Sequence, residues 1–110
     1  MSRVRRIQVK PTETVIYTET LKDTAGDALN LAAATGTCAV AATLGGASIG
    51  AGSVDLTDGA TGVAVTTIPD TVTALFDVGS IYYSDSKITD ASGNILFTST
   101  LEMETIRNVT

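Results

Sequence analysis

The sequence predicts a single all-β domain, built as an antiparallel sandwich of seven or eight short strands. Three observations predict it. The 44% of hydrophobic residues are mostly Ala, Val, Leu and Ile, with no Trp and with Tyr17, Phe76, Tyr82, Tyr83 and Phe97 as the aromatic side chains. That composition suits a thin core between sheets better than a helix bundle. Turn signals rich in Gly, Asp and Asn recur roughly every 8–12 residues, and the segments between them alternate apolar and polar side chains. With 110 residues, the chain has room for one domain and one core.

Residues 4–10 form the first predicted strand, closed by Pro11. Residues 13–22 form the second, with Val15, Tyr17 and Leu21 on one face and Ile16 on the other. Residues 23–27 (Asp-Thr-Ala-Gly-Asp) are a turn. Residues 28–35 are irregular, with Leu29 and Leu31 spaced to pin a loop onto the core. Residues 37–44 alternate, placing Cys38, Val40, Ala42 and Leu44 on one face. Gly45 and Gly46 then supply a hairpin turn. Residues 47–52 read as a weak strand broken by glycine, and residues 53–57 and 62–68 as a hairpin about the turn 58–62. Residues 69–77 read as one short helix or turn, with Pro69 suited to its start and Val72, Leu75 and Phe76 on one face. Residues 80–89 and 94–106 are the longest strands, joined at 90–94 with Gly93 left-handed.

The net charge of −5 is unevenly spread. Arg3, Arg5, Arg6 and Lys10 occupy the first ten residues without an acid. The remaining hundred hold Lys22, Lys87 and Arg107 against all twelve acidic residues. An acidic body excludes nucleic-acid binding through the main surface, because phosphate neutralisation needs Lys and Arg. Residues 1–10 read either as a basic arm that docks on an acidic neighbour, or as an edge strand whose cations deter sheet-to-sheet pairing. Arg3, Arg5, Arg6 and Lys10 are therefore the expected partner-binding residues, and residues 11–110 the sandwich domain. The lone Cys38 permits no internal disulfide, which points to folding in a reducing cytoplasm. No apolar run has the roughly 20 residues of a membrane helix and no signal-peptide pattern opens the chain, so a soluble protein is expected.

No catalytic, cofactor or metal site is expected. Residues 46–50 match G-x-S-x-G, yet a serine nucleophile needs a base and the chain contains no histidine. One Cys and no His leave only carboxylates for zinc. Asp55, Asp58, Asp85 and Asp90 could gather around calcium at one end of the sandwich, although Asp in turns more commonly bonds the nearby backbone. Glu102 and Glu104 share a strand face that reads as solvated rather than as an acid/base pair. Gly50 and Gly52 lack the rest of a phosphate-binding loop. Cys38 reads as a buried, inert thiol. Asn108 matches a glycosylation pattern that has meaning only with secretion. Tyr82 or Tyr83, near the start of a long strand after residues 77–79, could bond back to the backbone at a corner between sheets.

The order of these segments carries a resemblance. The turn 23–31 (Asp-Thr-Ala-Gly-Asp-Ala-Leu-Asn-Leu), the hairpin 54–62 (Val-Asp-Leu-Thr-Asp-Gly-Ala-Thr-Gly), Gly79 before a Tyr-bearing strand, and the turn 90–94 follow one another over about residues 13–106. This resembles the immunoglobulin-like domains of tailed-bacteriophage structural proteins, such as the N-terminal domain of siphophage baseplate upper proteins. The resemblance implies an immunoglobulin-like sandwich in a virion structural protein without enzymatic activity. Such a protein would be a capsid decoration or a tail or baseplate accessory module. It would be made in the host cytoplasm, present in many copies or as a homo-oligomer, and held by contacts with other virion proteins. The alternative is an adhesive or carbohydrate-binding sandwich, which would expose aromatic side chains on a face or loop.

Overall fold

A computed structural model describes the backbone of residues 2–107 and the side chains of residues 5–107. The Arg3 side chain and the pattern at Asn108 lie outside the described residues. Seven strands follow in order: β1 (Ser2–Val9), β2 (Val15–Thr20), β3 (Thr35–Ala41), β4 (Ser48–Asp55), β5 (Val63–Ile68), β6 (Ile81–Thr89) and β7 (Ile95–Thr105). A short helix α1 (Asp70–Thr73) lies between β5 and β6, and a single 3-10 turn (Gly59–Thr61) between β4 and β5. The protein is all-β, as its alternating segments predict.

The strands form one sheet in the order β1-β7-β6-β3-β4-β5-β2. Every neighbouring pair is antiparallel except β1 and β7, which run parallel, so the sheet is mixed rather than purely antiparallel. β4 lets the sheet bend over on itself. Its first half pairs with β3 (Cys38 opposite Gly52), and its second half pairs with β5 (Ser53 opposite Thr67). The segments 47–52 and 53–57, expected as separate strands, therefore fuse into one. Gly52 sits at the changeover, where a Cβ would lie 2.6 Å from the Thr67 carbonyl oxygen and 3.0 Å from Cys38 Sγ. Only a residue without a side chain fits there.

The bend encloses a core in two parts. Val9, Val15, Val40, Ile68, Phe76, Tyr82, Leu101 and Met103 belong to the larger cluster, beside α1. Leu21, Leu31, Ala64, Ile88 and Phe97 form the smaller, and Val54 packs against both. Buried polar side chains also line the interior, among them Thr66, Ser84, Ser86 and Ser99. Tyr17 Oη lies 3.0 Å from Ser86 Oγ, and Cys38 Sγ lies 3.1 Å from Ser84 Oγ, so these hydroxyls reach partners inside the fold.

Face assignments hold for β2, where Val15 and Leu21 are buried and Ile16 is exposed, and Leu31 is fully enclosed as a loop anchor. Three differ. Ala42 and Leu44 lie beyond the end of β3 at Ala41 and are exposed, because the β3–β4 turn starts before them. Leu75 is exposed because the helix ends at Thr73 and the backbone tightens into three-residue bonds at Leu75 and Phe76, which changes the helical spacing and leaves Val72 and Phe76 buried without it.

The corner between α1 and β6 is closed by Tyr82. Its hydroxyl accepts a hydrogen bond from the Asp77 amide at 2.8 Å, and its ring stacks on Phe76 with centroids 4.1 Å apart. Of the two tyrosines named for this role, Tyr82 takes it. Tyr82→Phe keeps the stacking and removes the hydroxyl, which should cost about 1–2 kcal/mol in urea denaturation because a part-buried amide loses its acceptor.

Candidate functional site: the basic edge strand

β1 closes one end of the sheet order, and its register sets what each basic residue can do. In a parallel pair, opposed residues share a sheet face. Ile7 and Val9 lie opposite Met103 and Thr105, and Val9 is buried among the core residues. Arg6 and Gln8 lie opposite Glu102 and Glu104 on the outer face. Arg6 Nε and Nη2 both donate to Glu102 Oε2, at 2.9 and 2.7 Å, and Gln8 Nε2 donates to Glu104 Oε1 at 3.4 Å. The hydrogen bond to Glu102, followed by that carboxylate's charge, raises the Arg6 guanidinium above its ordinary pKa. Glu102 and Glu104 are thus partners of β1 on a half-open strand face.

The four cations singled out from the sequence are not equivalent. Arg6 is engaged within the molecule. Arg5 lies in register with Leu101 and is exposed. Lys10 is half-buried at the β1–β2 turn, where its backbone amide donates to Glu13 Oε1 and its carbonyl accepts from the Glu13 amide. Arg3 lies in register with buried Ser99. Residues 2–9 are therefore a strand integrated into the sheet, with Arg5 as its exposed cation outside the Arg6–Glu102 pair. Because the Arg6–Glu102 pair is solvent-accessible, Arg6→Ala should lower stability only slightly, and the loss should shrink in high salt. Urea midpoints at two salt concentrations check this.

Ser48, Asp55, Asp85 and Asp90 are each engaged in local contacts. Ser48 opens β4 and donates from Oγ to the Gly50 carbonyl, and a strand rather than a helix follows it. Asp55 accepts from the Thr57 amide at 2.8 Å, Asp85 accepts from Thr100 Oγ1, and Asp90 accepts from the amides of Ser92 and Asn94. Among the described residues no group of three or more acidic, Cys or His side chains is placed to hold a metal ion. Cys38 is buried. Phe76, Tyr82 and Phe97 are buried, and Tyr17 and Tyr83 are half-buried. No ligand-sized cavity is present among the described residues. Nor is any helix there long and apolar enough to cross a membrane.

Hydrogen bonding holds Asp55 below the usual carboxylate range, chiefly through the Thr57 hydroxyl, and Asp90 likewise, chiefly through the Asn94 amide. A carboxylate depressed in the folded state stabilises it above the unfolded pKa, and that contribution is lost as pH falls through the folded value. The unfolding midpoint should therefore drop on acidification below about pH 4. Asp90→Asn should flatten part of that slope, read by thermal melts across the acid range.

Neither a family model nor a curated protein matches the chain.

Proposed function

We propose that this protein is a non-enzymatic structural component of a tailed-bacteriophage virion, a capsid decoration or a tail or baseplate accessory module that works by protein–protein contact. The reading includes an immunoglobulin-like sandwich. It is supported by the succession β1-β7-β6-β3, by the antiparallel β5–β2 pair, by β4 joining the two groups, and by the tyrosine at the β5–β6 corner. The observation that carries the functional half is the basic edge strand. It places an exposed Arg5 on the rim of an otherwise acidic molecule, where an acidic neighbour in an assembly can meet it.

Deleting residues 1–10 is a poor test, because it removes Val9 from the core and all of β1 from the sheet. Arg5→Glu with Lys10→Gln lowers the side-chain charge of the strip from four positive to one positive and leaves Arg6–Glu102 in place. Incorporation into assembled particles should fall sharply while the melting temperature of the isolated protein stays near that of the parent. Undiminished incorporation refutes β1 as the attachment element, and a specific hit on a glycan array favours the carbohydrate-binding alternative.

A further inference from the structure

The sheet ends in two strands of opposite character, and their backbone geometry makes them complementary. Among the described residues β2 pairs with β5 alone and β1 with β7 alone. The Leu21 amide donates to the Gly62 carbonyl on the β5 side. By strand alternation the amides of Val15, Tyr17 and Glu19 also face β5, and those of Ile16, Thr18 and Thr20 face the free edge. On β1, the Val9 carbonyl accepts from the Ile106 amide, so the free-edge amides belong to Arg6 and Gln8. The side chains of Ile16, Thr18, Thr20, Arg6 and Gln8 are all exposed. β2 carries no Lys, Arg, Pro or bulge on its edge, and its one charged residue, Glu19, is buried.

We propose that the partner of β1 is the β2 edge of a second copy of this chain, joined antiparallel. This inference rests on the reading of β1 as an attachment strand. In an antiparallel pair, opposed residues that exchange hydrogen bonds share a face. Setting Arg6 opposite Thr18 of the second copy therefore joins outer face to outer face and keeps both cores sealed. A parallel pairing would set outer-face residues of one strand beside core-facing residues of the other, as the rule seen at Val9 and Thr105 requires: the first bonds toward the neighbour, the second away from it.

Charge selects β1 with β2 over the symmetric alternatives. Two β1 strands centred on Arg6 would set that guanidinium opposite its own copy. Two β2 strands centred on Thr18 would set Glu13 opposite Asp23, acid against acid. With Arg6 opposite Thr18, Lys10 falls beside Thr14, next to Glu13 of the second copy. Because different surfaces meet, the contact is heterologous and repeats into a ring or a filament.

Disulfide trapping tests the pairing. Arg6→Cys and Thr18→Cys variants are purified separately, checked for parental circular dichroism, and mixed under mild oxidation. Opposed Cα atoms in such a pair lie about 5.5 Å apart, within disulfide range. The mixture should give a covalent heterodimer as the dominant product. Equal yields from either variant alone, or no product from the mixture at high concentration, overturn the proposal. Thr18→Pro supplies a second reading: its amide makes no bond to β5, so the monomer should fold while concentration-dependent association in sedimentation is lost. Retained association also overturns it. If trapping fails while Arg5→Glu/Lys10→Gln still lowers incorporation into particles, self-pairing is wrong and the attachment strand stands. If trapping succeeds while incorporation is unaffected, self-pairing stands and the attachment reading fails.

Discussion

Phe97→Ala should lower stability by about 3–5 kcal/mol, the cost of emptying a buried aromatic site. Phe97 is 2% exposed and is the aromatic member of the smaller core cluster, whose other members are Leu21, Leu31, Ala64 and Ile88. These neighbours sit on β6, on β5 and within the long β2–β3 connection, so they cannot all close on the vacated space together. A domain of this kind holds about 5–15 kcal/mol in total, so the variant should be partly unfolded at modest urea. Ile95→Ala, two residues earlier in β7 and 59% exposed, should shift the midpoint hardly at all. Equal losses at the two positions would mean that the smaller cluster contributes little.

Gly52→Val should cost about 3 kcal/mol, near the top of the overpacking range, and it should do so at one place. The added methyls meet the Thr67 carbonyl on one side and Cys38 on the other, the two ladders that β4 joins. The expected result is faster amide exchange over residues 53–55 and in β5, with β6 and β7 less affected. Ala51→Val provides the control, since Ala51 is exposed and valine suits a strand. Uniform loss of protection across all strands would argue against β4 as a local joint.

Most strand positions were legible because burial imposes alternation, and alternation is a property of neighbouring residues. The pattern from Val15 to Leu21, the turn at 90–94 and the helical turn after Pro69 all sit in the local sequence. β4 was not legible as one strand. Glycine at positions 50 and 52 weakens a strand pattern, and the reason for glycine at 52 lies in Thr67 and Cys38, which are distant in sequence. The basic strip at residues 3–10 stood out by composition, but composition carries no information about pairing. Its parallel register on β7, and with it the Arg6–Glu102 pair, depends on residues 96 positions away. Leu44 and Leu75 were misassigned because periodicity does not say where an element stops.

That separation has a consequence for biogenesis. β1 precedes the other strands and finds its hydrogen-bonding partner only when β7 exists, so it stays without that partner while the five strands between them are made. Loop closure over such a distance places folding in the slow regime of non-local β proteins, on the order of milliseconds to seconds. During that interval the like charge of three arginines in four positions disfavours the pairing of two such strands. The same charge is therefore expected to limit aggregation before the strand is paired.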